Sequence, residues 1–416
     1  MNSRSMQNDI ATNWLLRSLG EIATISRGGS PRPIDSYITN ASDGLNWLRI
    51  GDVSPTARYI YATSQKIKKE GLSKTTLVHS GDFILSNSMS FGRPYIMKTS
   101  ACIHDGWLAL RNIKKDLISA DFLYFLLLSK KLQNEFILIS AGSGVQNLKK
   151  ETVSSVVVRL PTVLEQRRIV AVLETLDQLI EGLGQKIEIK KQMKRGLVHH
   201  LLDGKTRLSG FSDKRRTFSF EDVAKPRKER FDVRKSSSQK FCIELENIEQ
   251  GTGQLLGGEA VMETASLKTN FYPGDVLFGK LRAYLKKYWL ADREGVCSTE
   301  IWVLEADKTK ILPQILFQIT QSDRFISVAT TSQGTHMPRS SWDIVSDFQV
   351  LLPGIDEQRS MVKIFESIEK ELLYLSKKLS LFKAQKKYLL NNLITGMIRT
   401  PEDLTIPKQA SNARKS

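Results

Sequence analysis

The sequence predicts an α+β protein in which two mixed α/β domains alternate with two long helices, and the helices pack on each other as a coiled coil. Two observations predict it. The chain repeats itself: Leu160-Pro161 followed by Glu165-Gln166-Arg167 returns as Leu352-Pro353 followed by Glu357-Gln358-Arg359, an offset of 192 residues that also carries Gly204 onto Gly396 and Arg207 onto Arg399. A period that long marks a duplicated domain pair rather than a solenoid of short units. Each copy also opens an apolar seam spaced alternately four and three residues apart, the heptad signature of paired helices.

Residues 13–160 read as the first globular domain. Short strand-like runs alternate with turns, Gly81-Asp82-Phe83-Ile84-Leu85 among them, and Asp121 to Leu128 is apolar enough for a buried helix. Residues 161–209 read as the first helical spacer. Leu160-Pro161 closes a strand, and Ile169, Leu173, Leu176, Ile180, Leu183, Ile187, Lys190, Lys194, Leu197 and Leu201 form the seam. Gly182 and Gly184 each cost about 1 kcal/mol against Ala, which predicts a weak point or bend there.

Residues 210–352 repeat the first domain's plan. Gly274-Asp275-Val276-Leu277-Phe278 answers the Gly81 run, Cys297 and Trp302 answer Cys102 and Trp107, and Pro313 to Ile319 answers the buried helix. Residues 353–400 repeat the spacer, with Met361, Phe365, Ile368, Leu372, Leu375, Leu379, Phe382, Lys386, Leu389 and Leu393 in the seam. Gly204 and Gly396 follow the last seam residues and fit helix stops. Residues 401–416 are polar and read as a flexible tail.

Composition narrows the function. Hydrophobic residues at 41% supply real cores. No run approaches the ~18 apolar residues of a membrane helix, and the first residues lack a signal peptide's apolar core, so a soluble intracellular protein is expected. Sixty-one Lys+Arg against 44 Asp+Glu gives a net charge of +17, which suits a polyanionic partner, nucleic acid above all.

No catalytic residues are identified. There is no Asn-Pro-Pro-aromatic or Asp-Pro-Pro-aromatic run for amino methylation, no glycine-rich loop for S-adenosylmethionine and no Gly-x-Ser-x-Gly elbow. Gly274 to Lys280 has phosphate-loop spacing, but Leu281 stands where Ser or Thr must hold magnesium. Asp275 and Glu300 belong to no nuclease constellation. Cys102, Cys242 and Cys297 lie far apart, and His79, His104, His199, His200 and His336 share no ligand spacing with them, so no metal site is expected.

The basic residues cluster instead. The first domain offers Arg27 and Arg32 around Gly28-Gly29, Lys68 and Lys69 after Lys66, and Lys149-Lys150; Arg93 and Arg49 are single candidates. The second offers Lys225, Arg227 and Lys228, then Lys280, Arg282, Lys286 and Lys287 interleaved with Tyr284 and Tyr288. Such clusters neutralise phosphates and position a duplex. Reading bases needs paired donors and acceptors on an approachable backbone. Two glycine-containing loops at the common offset have that character, one with Gln146, Asn147 and Lys149, the other with Thr335, His336 and Arg339.

In these features the chain resembles the specificity subunit of type I restriction–modification systems. The resemblance runs from about Trp14 to Arg399. It is carried by the duplicated Leu-Pro-x-x-x-Glu-Gln-Arg, the helix ends Leu201-Leu202-Asp203-Gly204 and Leu393-Ile394-Thr395-Gly396, Gly274-Asp275-Val276-Leu277, and Cys297 to Leu304. It implies that 13–160 and 210–352 are target-recognition domains, each reading half of a bipartite double-stranded DNA site. The helices would pair as an antiparallel coiled coil, fix the gap between the halves and bind two modification subunits. S-adenosylmethionine, ATP and Mg2+ would then sit on partner subunits, the modification and restriction subunits, with no cofactor on this chain. The complex would lie in the prokaryotic cytoplasm, on the nucleoid DNA. Two readers on one frame suit half-sites about one duplex turn apart, ~34–36 Å. The other reading of the same residues is a stand-alone coiled-coil DNA-binding protein with no enzyme partner.

Overall fold

The computed structural model describes residues 13–87, 92–141, 147–232, 240–256, 267–331 and 338–406. Its contacts divide the chain into two units, Met1–Leu183 with Lys378–Ser416, and Gly184–Lys377. The division runs through the long helices rather than at their ends, so each unit holds one globular domain and half of each helix.

The first unit runs β1 (Leu15–Ser18), α1 (Leu19–Ile22), β2 (Thr24–Arg27), β3 (Ile38–Thr39), β4 (Leu45–Leu48), β5 (Tyr59–Ile60), β6 (Gln65–Ile67), β7 (Thr76–Val78), β8 (Phe83–Ser86), β9 (Pro94–Met97), β10 (Ala101–Ile103), β11 (Trp107–Arg111), α2 (Ala120–Leu128), α3 (Lys130–Ala141), α4 (Lys150–Ser155) and β12 (Val157–Leu160), and enters α5 (Val163–Leu202). β1 pairs antiparallel with β12, Leu15 opposite Leu160. The remaining strands make two five-stranded sheets, ordered β2-β11-β8-β9-β5 and β3-β6-β4-β10-β7.

β8 shows why these strands lack an alternating pattern. Phe83 and Leu85 pack on the helical side with Phe122 and Phe125. Ile84 turns the other way, to Leu48, Val78 and Trp107. A strand covered on both faces is apolar throughout. α2 is likewise buried from Phe122 to Leu127, and Ser119 caps it by accepting from the Phe122 N–H at 3.2 Å.

The second unit begins within α5 and continues through β13 (Arg216–Ser219), α6 (Phe220–Val223), β14 (Ala224–Pro226), β15 (Arg230–Asp232), β16 (Cys242–Ile243), β17 (Leu267–Phe271), β18 (Val276–Gly279), β19 (Tyr288–Leu290), β20 (Gly295–Cys297), β21 (Ile301–Ala306), α7 (Pro313–Gln321), α8 (Asp323–Ala329), α9 (Trp342–Val345) and β22 (Gln349–Leu352) into α10 (Ile355–Thr395). The plan is the same with fewer strands. β13 pairs with β22, and two four-stranded sheets run β14-β21-β18-β19 and β15-β17-β20-β16. Val276 and Phe278 of β18 face the helical core, while Leu277 faces Ile243, Trp289 and Val303. The repeated Gly-Asp pairs make one turn twice: Asp82 accepts from the His79 N–H and Asp275 from the Tyr272 N–H, each at 2.8 Å.

The heptad seams are where the helices bury. All ten seam positions named on each helix are buried or half-buried, and the residues between them are mostly exposed. The lysines in the seam are paired across it. In the second unit Lys190 meets Glu371 at 2.6 Å and Lys194 meets Glu369 at 2.7 Å. In the first unit Lys386 meets Asp177. Partners descend on one helix as they climb on the other, so the half-pair of the second unit is antiparallel; in the first unit Lys386 with Asp177 and Arg399 with Glu165 run the same way. α5 stays helical through Gly182 and Gly184, whose Cβ positions face open space. Both helices stop as expected: Gly204 and Gly396 have φ of 73° and 75°, and Thr206 and Ile398 donate six residues back, to His200 and Asn392.

The Gln of each repeated motif joins a helix to the neighbouring globular domain. Gln166 accepts from the Ser119 N–H and donates to the Leu117 and Pro161 carbonyls. Gln358 accepts from the Leu312 N–H and donates to the Lys310 and Pro353 carbonyls. At the start of the segment expected as a flexible tail, residues 402–403 form a turn, and Arg168 donates to the Pro401 and Glu402 carbonyls at 3.3 and 2.5 Å.

Candidate nucleic-acid interface

In the first unit the turn between β10 and β11 gathers the basic loops. Gly28 and Gly29 lie flat against it, donating to Trp107 and Ile103 carbonyls. A Cβ on Gly28 would sit 2.1 Å from the His104 carbonyl oxygen, so only glycine fits. Asp105 then holds the loop: Arg27 Nε donates to its carbonyl at 3.3 Å, Ser30 Oγ donates to its carboxylate at 3.1 Å, and Arg32 lies 3.9 Å away, largely in solvent. Asn87, at the base of the β8–β9 hairpin, donates from its backbone to Gly106 in the same turn.

A second basic group joins this one. Lys68 donates to the Ser36 carbonyl and Lys69 pairs with Asp43 at 2.9 Å, both exposed. Lys74, which sequence reasoning missed, donates to the Tyr37 hydroxyl at 2.6 Å and lies 4.8 Å from the centre of its ring. A Cβ on nearby Gly71 would lie 3.3 Å from both Pro31 and Tyr37, so this segment abuts the Arg27–Arg32 loop. Tyr37 and Lys74 sit outside any charge run, and only the fold brings them together.

Arg93 stands at the far end of the β8–β9 connection, half-buried, its guanidinium 6.0 Å from the Tyr95 ring. α3 braces the connection through Gln133, which donates to the Gly92 carbonyl at 2.9 Å. Asn147 is half-buried and Lys149 exposed just before α4. Gln146, Thr335 and His336 lie outside the described residues. Arg49 is tied to Asp52 and Ser64.

In the second unit Lys280, Arg282 and Lys286 lie on the β18–β19 hairpin, the counterpart of the hairpin that carries Arg93. The Lys280 N–H donates to the Glu300 carbonyl, as Asn87 does to Gly106. Arg339 is brought to the same place. Its two nitrogens meet the Glu300 carboxylate at 2.9 and 3.2 Å, and its segment hydrogen-bonds to Lys280 and Arg282 through Ser340 and Pro338. That carboxylate holds the Arg339 guanidinium above its ordinary pKa. Lys286 pairs with exposed Asp323 at 3.0 Å. Lys225, Lys228 and Arg282 are exposed, and with Lys280 they make no ion pair among the described residues. Tyr288, grouped with Tyr284 in the sequence, is core, 5.9 Å from Phe317.

Arg227, expected beside Lys225 and Lys228 as a DNA contact, is engaged within the fold. It grips buried Asp275 with two hydrogen bonds of 3.0 Å, meets Glu305 at 3.1 Å and lies over Tyr272. The hydrogen bonds it donates to Asp275 raise its pKa further. A guanidinium so occupied braces the fold. Its partner lies 48 residues on, which is why its cluster in the sequence looked free.

Among the described residues no group of three or more His, Cys, Asp or Glu is placed to hold a metal ion. No described helix is long and apolar enough to cross a membrane.

The chain matches the family model of the type I restriction modification DNA specificity domain twice, over residues 12–191 and 221–381. It is 24% identical over 291 residues to the type I restriction enzyme EcoDI specificity subunit of Escherichia coli, a match spanning 62% of this chain and 64% of that one. It is 21% identical over 422 residues to a putative type I restriction enzyme MjaX specificity subunit of Methanocaldococcus jannaschii, spanning 94% and 95%. The fold is similar to that of the HsdS subunit of Thermoanaerobacter tengcongensis, with a TM-score of 0.51 at 15% identity over 93% of this chain and 98% of that one. A chain from a study of assembly of the type I R-M system is similar with a TM-score of 0.60 at 14% identity, over 92% and 98%. With a doubled recognition plan, a doubled helix and both copies matched, the chain belongs to the type I restriction modification DNA specificity family.

Proposed function

We propose that each recognition domain reads one half of an asymmetric, bipartite site in double-stranded DNA, and that the helix pair sets the gap between the halves. The observation that carries this reading is one scaffold presented twice with unlike loops. The β8–β9 and β18–β19 hairpins each leave the strand next to the sheet's second strand, β11 or β21, yet one offers Arg93 and the other Lys280, Arg282, Tyr284 and Lys286. Equal frames with different side chains suit two different half-sites, hence a site without a palindrome. Coupling two modest readers on one frame multiplies affinity only when the spacing fits.

In this reading the helices also dock two modification subunits, which carry S-adenosylmethionine and methylate adenine. A restriction subunit supplies the ATP- and Mg2+-dependent steps, and the chain itself is not catalytic. The outer helix faces support it with exposed Leu164, Leu179, Ile189, Met193, Leu373 and Leu381, apolar side chains that suit a protein partner. The complex works on DNA in the cytoplasm.

The test is a methylome. The chain is expressed with its modification subunit in a host lacking adenine methylation, and the modified bases are sequenced. A split motif of two unlike halves around a fixed gap is expected. A seven-residue insertion in both helices should change the gap and leave both halves intact. A soluble complex that methylates nothing would count against the recognition role. A chain that binds DNA without sequence preference and forms no complex would favour the stand-alone reading.

A further inference from the structure

The tip of the β18–β19 hairpin is built in a way its turn alone does not require. Arg282 and Lys286 both hold left-handed backbone conformations, φ 53° and 50°, on either side of the single turn Ala283–Leu285. Left-handed geometry is easy for glycine and costs a residue with a Cβ. Here two long cations occupy it. Strain of this kind persists where the surrounding structure over-determines it, and it gathers at functional sites.

The surroundings do over-determine it. The Arg282 N–H donates to Pro338 at 2.9 Å, the Lys286 carbonyl accepts from the Gly251 N–H at 2.9 Å, and Lys287 Nζ donates to the Leu245 carbonyl at 2.6 Å. Between the two cations the braced turn presents Tyr284, 53% exposed. Tyr288, the neighbouring aromatic, is buried. Tyr284 therefore adds little to the core, yet the braced turn holds it beside Arg282, which makes no ion pair among the described residues.

We infer that Tyr284 is a specificity-determining residue of the second recognition domain, reading a thymine in the major groove while Arg282 and Lys280 hold the flanking phosphates. The inference rests on the DNA-recognition reading above and deepens it. A two-stranded ribbon enters the major groove, and the 5-methyl group of thymine is the apolar feature there that a flat ring can recognise. The cations fix the ribbon without reading sequence.

The experiment uses the full chain in complex with its modification subunit. The methylome of the wild type is compared with those of Tyr284→Ala and Tyr284→Phe. The wild-type arm tests the recognition reading by itself, through the presence of a split motif. In the variant arm, Tyr284→Ala should lose about 4-fold discrimination at one A·T position of one half, with the other half unchanged, and Tyr284→Phe should keep it. Binding to a synthetic duplex of the wild-type motif, with deoxyuridine replacing that thymine, should weaken for the wild type and not for Tyr284→Ala. A Tyr284→Ala methylome with the wild-type motif at wild-type stringency overturns the inference. So does a uniform loss of methylation with no change of motif. Because Tyr284 is exposed, both variants should fold, which a thermal melt of each complex checks.

Discussion

Glu165 and Arg399 stand 234 residues apart in sequence and meet through two hydrogen bonds, of 2.5 and 2.8 Å. Glu165 opens α5, and Arg399 follows the end of α10. The relationship recurs at the repeat offset: Glu357, at the start of α10, meets Arg207, beyond the end of α5, at 2.6 Å. In each unit the start of one long helix is thus pinned to the finish of the other. Glu357, only 2% exposed, also holds Arg215 at 3.0 Å.

Removing such a carboxylate leaves buried positive charge without a partner. Glu357→Ala should lower stability by about 3–5 kcal/mol, whereas Arg207→Ala, which leaves Glu357 with Arg215, should cost clearly less. Denaturant unfolding of the two variants checks the order. Equal costs would show that Arg215 does not share the carboxylate.

Gln358 makes three hydrogen bonds to main-chain groups from a side chain with no exposed surface. Gln358→Leu keeps much of the volume and strands those groups. At about 1–3 kcal/mol per unsatisfied group, the loss should reach at least about 2 kcal/mol and should be matched by Gln166→Leu. Hydrogen exchange at Leu312 should quicken in the first variant, and at Ser119 in the second.

The lysines of the seam select a register more than they stabilise it. Replacing both members of a pair, Lys190→Leu with Glu371→Leu, should leave the thermal midpoint unchanged or raise it, because a well-packed apolar pair avoids the desolvation cost. The helices should lose uniqueness of pairing, seen as a broader transition. A large fall in midpoint would show that the ion pair itself carries the stability.

Phosphate contacts and structural cations separate by salt. Lys228→Ala and Arg282→Ala should weaken DNA binding and each reduce the slope of log affinity against log salt by about 0.9. Arg227→Ala should instead lower the melting temperature, because it abandons buried Asp275. Affinity measured across a salt series, beside a melt, distinguishes the two classes.

The cysteines predict an alkaline limit. Burial pushes the Cys102 thiol from 9.0 to about 11 and raises Cys242 and Cys297 as well. Above pH 9 the unfolded chain releases thiol protons that the fold retains. Stability contributed by the protonated Cys102 is therefore complete below about pH 9 and is lost as pH rises toward 11. All three thiols are free and buried, so a thiol reagent at pH 8 should modify none of them before denaturant is added and all three afterwards.

What could be read in advance follows the range of the interaction. The seam was legible because a 3.5-residue period is local, and its lysines stood out as exceptions. Their partners, Glu369, Glu371 and Asp177, come from the other helix and could not be paired by period alone. The Glu-Gln-Arg motif was visible as a repeat, but its work was not, since Glu165 acts on a residue near the other end of the chain. Basic clusters were visible and free cations were not. Lys228 and Arg227 look alike in the sequence, and only the approach of β18, with Asp275 at its head, separates them. Tyr37 and Lys74 carry no local signal at all.

The ladder of β1 with β12 sets Leu15 opposite Leu160, and that of β13 with β22 sets Arg216 opposite Leu352. Everything between those partners leaves the chain and returns to it at one doorway. For the gene, this makes each recognition domain a cassette: two crossovers, one in each ladder strand, exchange a complete reader whose cut ends already adjoin. With each domain reading one half-site as proposed, a lineage acquires a new half-site by recombination in a single generation, while the helices that receive the cassette stay as they were.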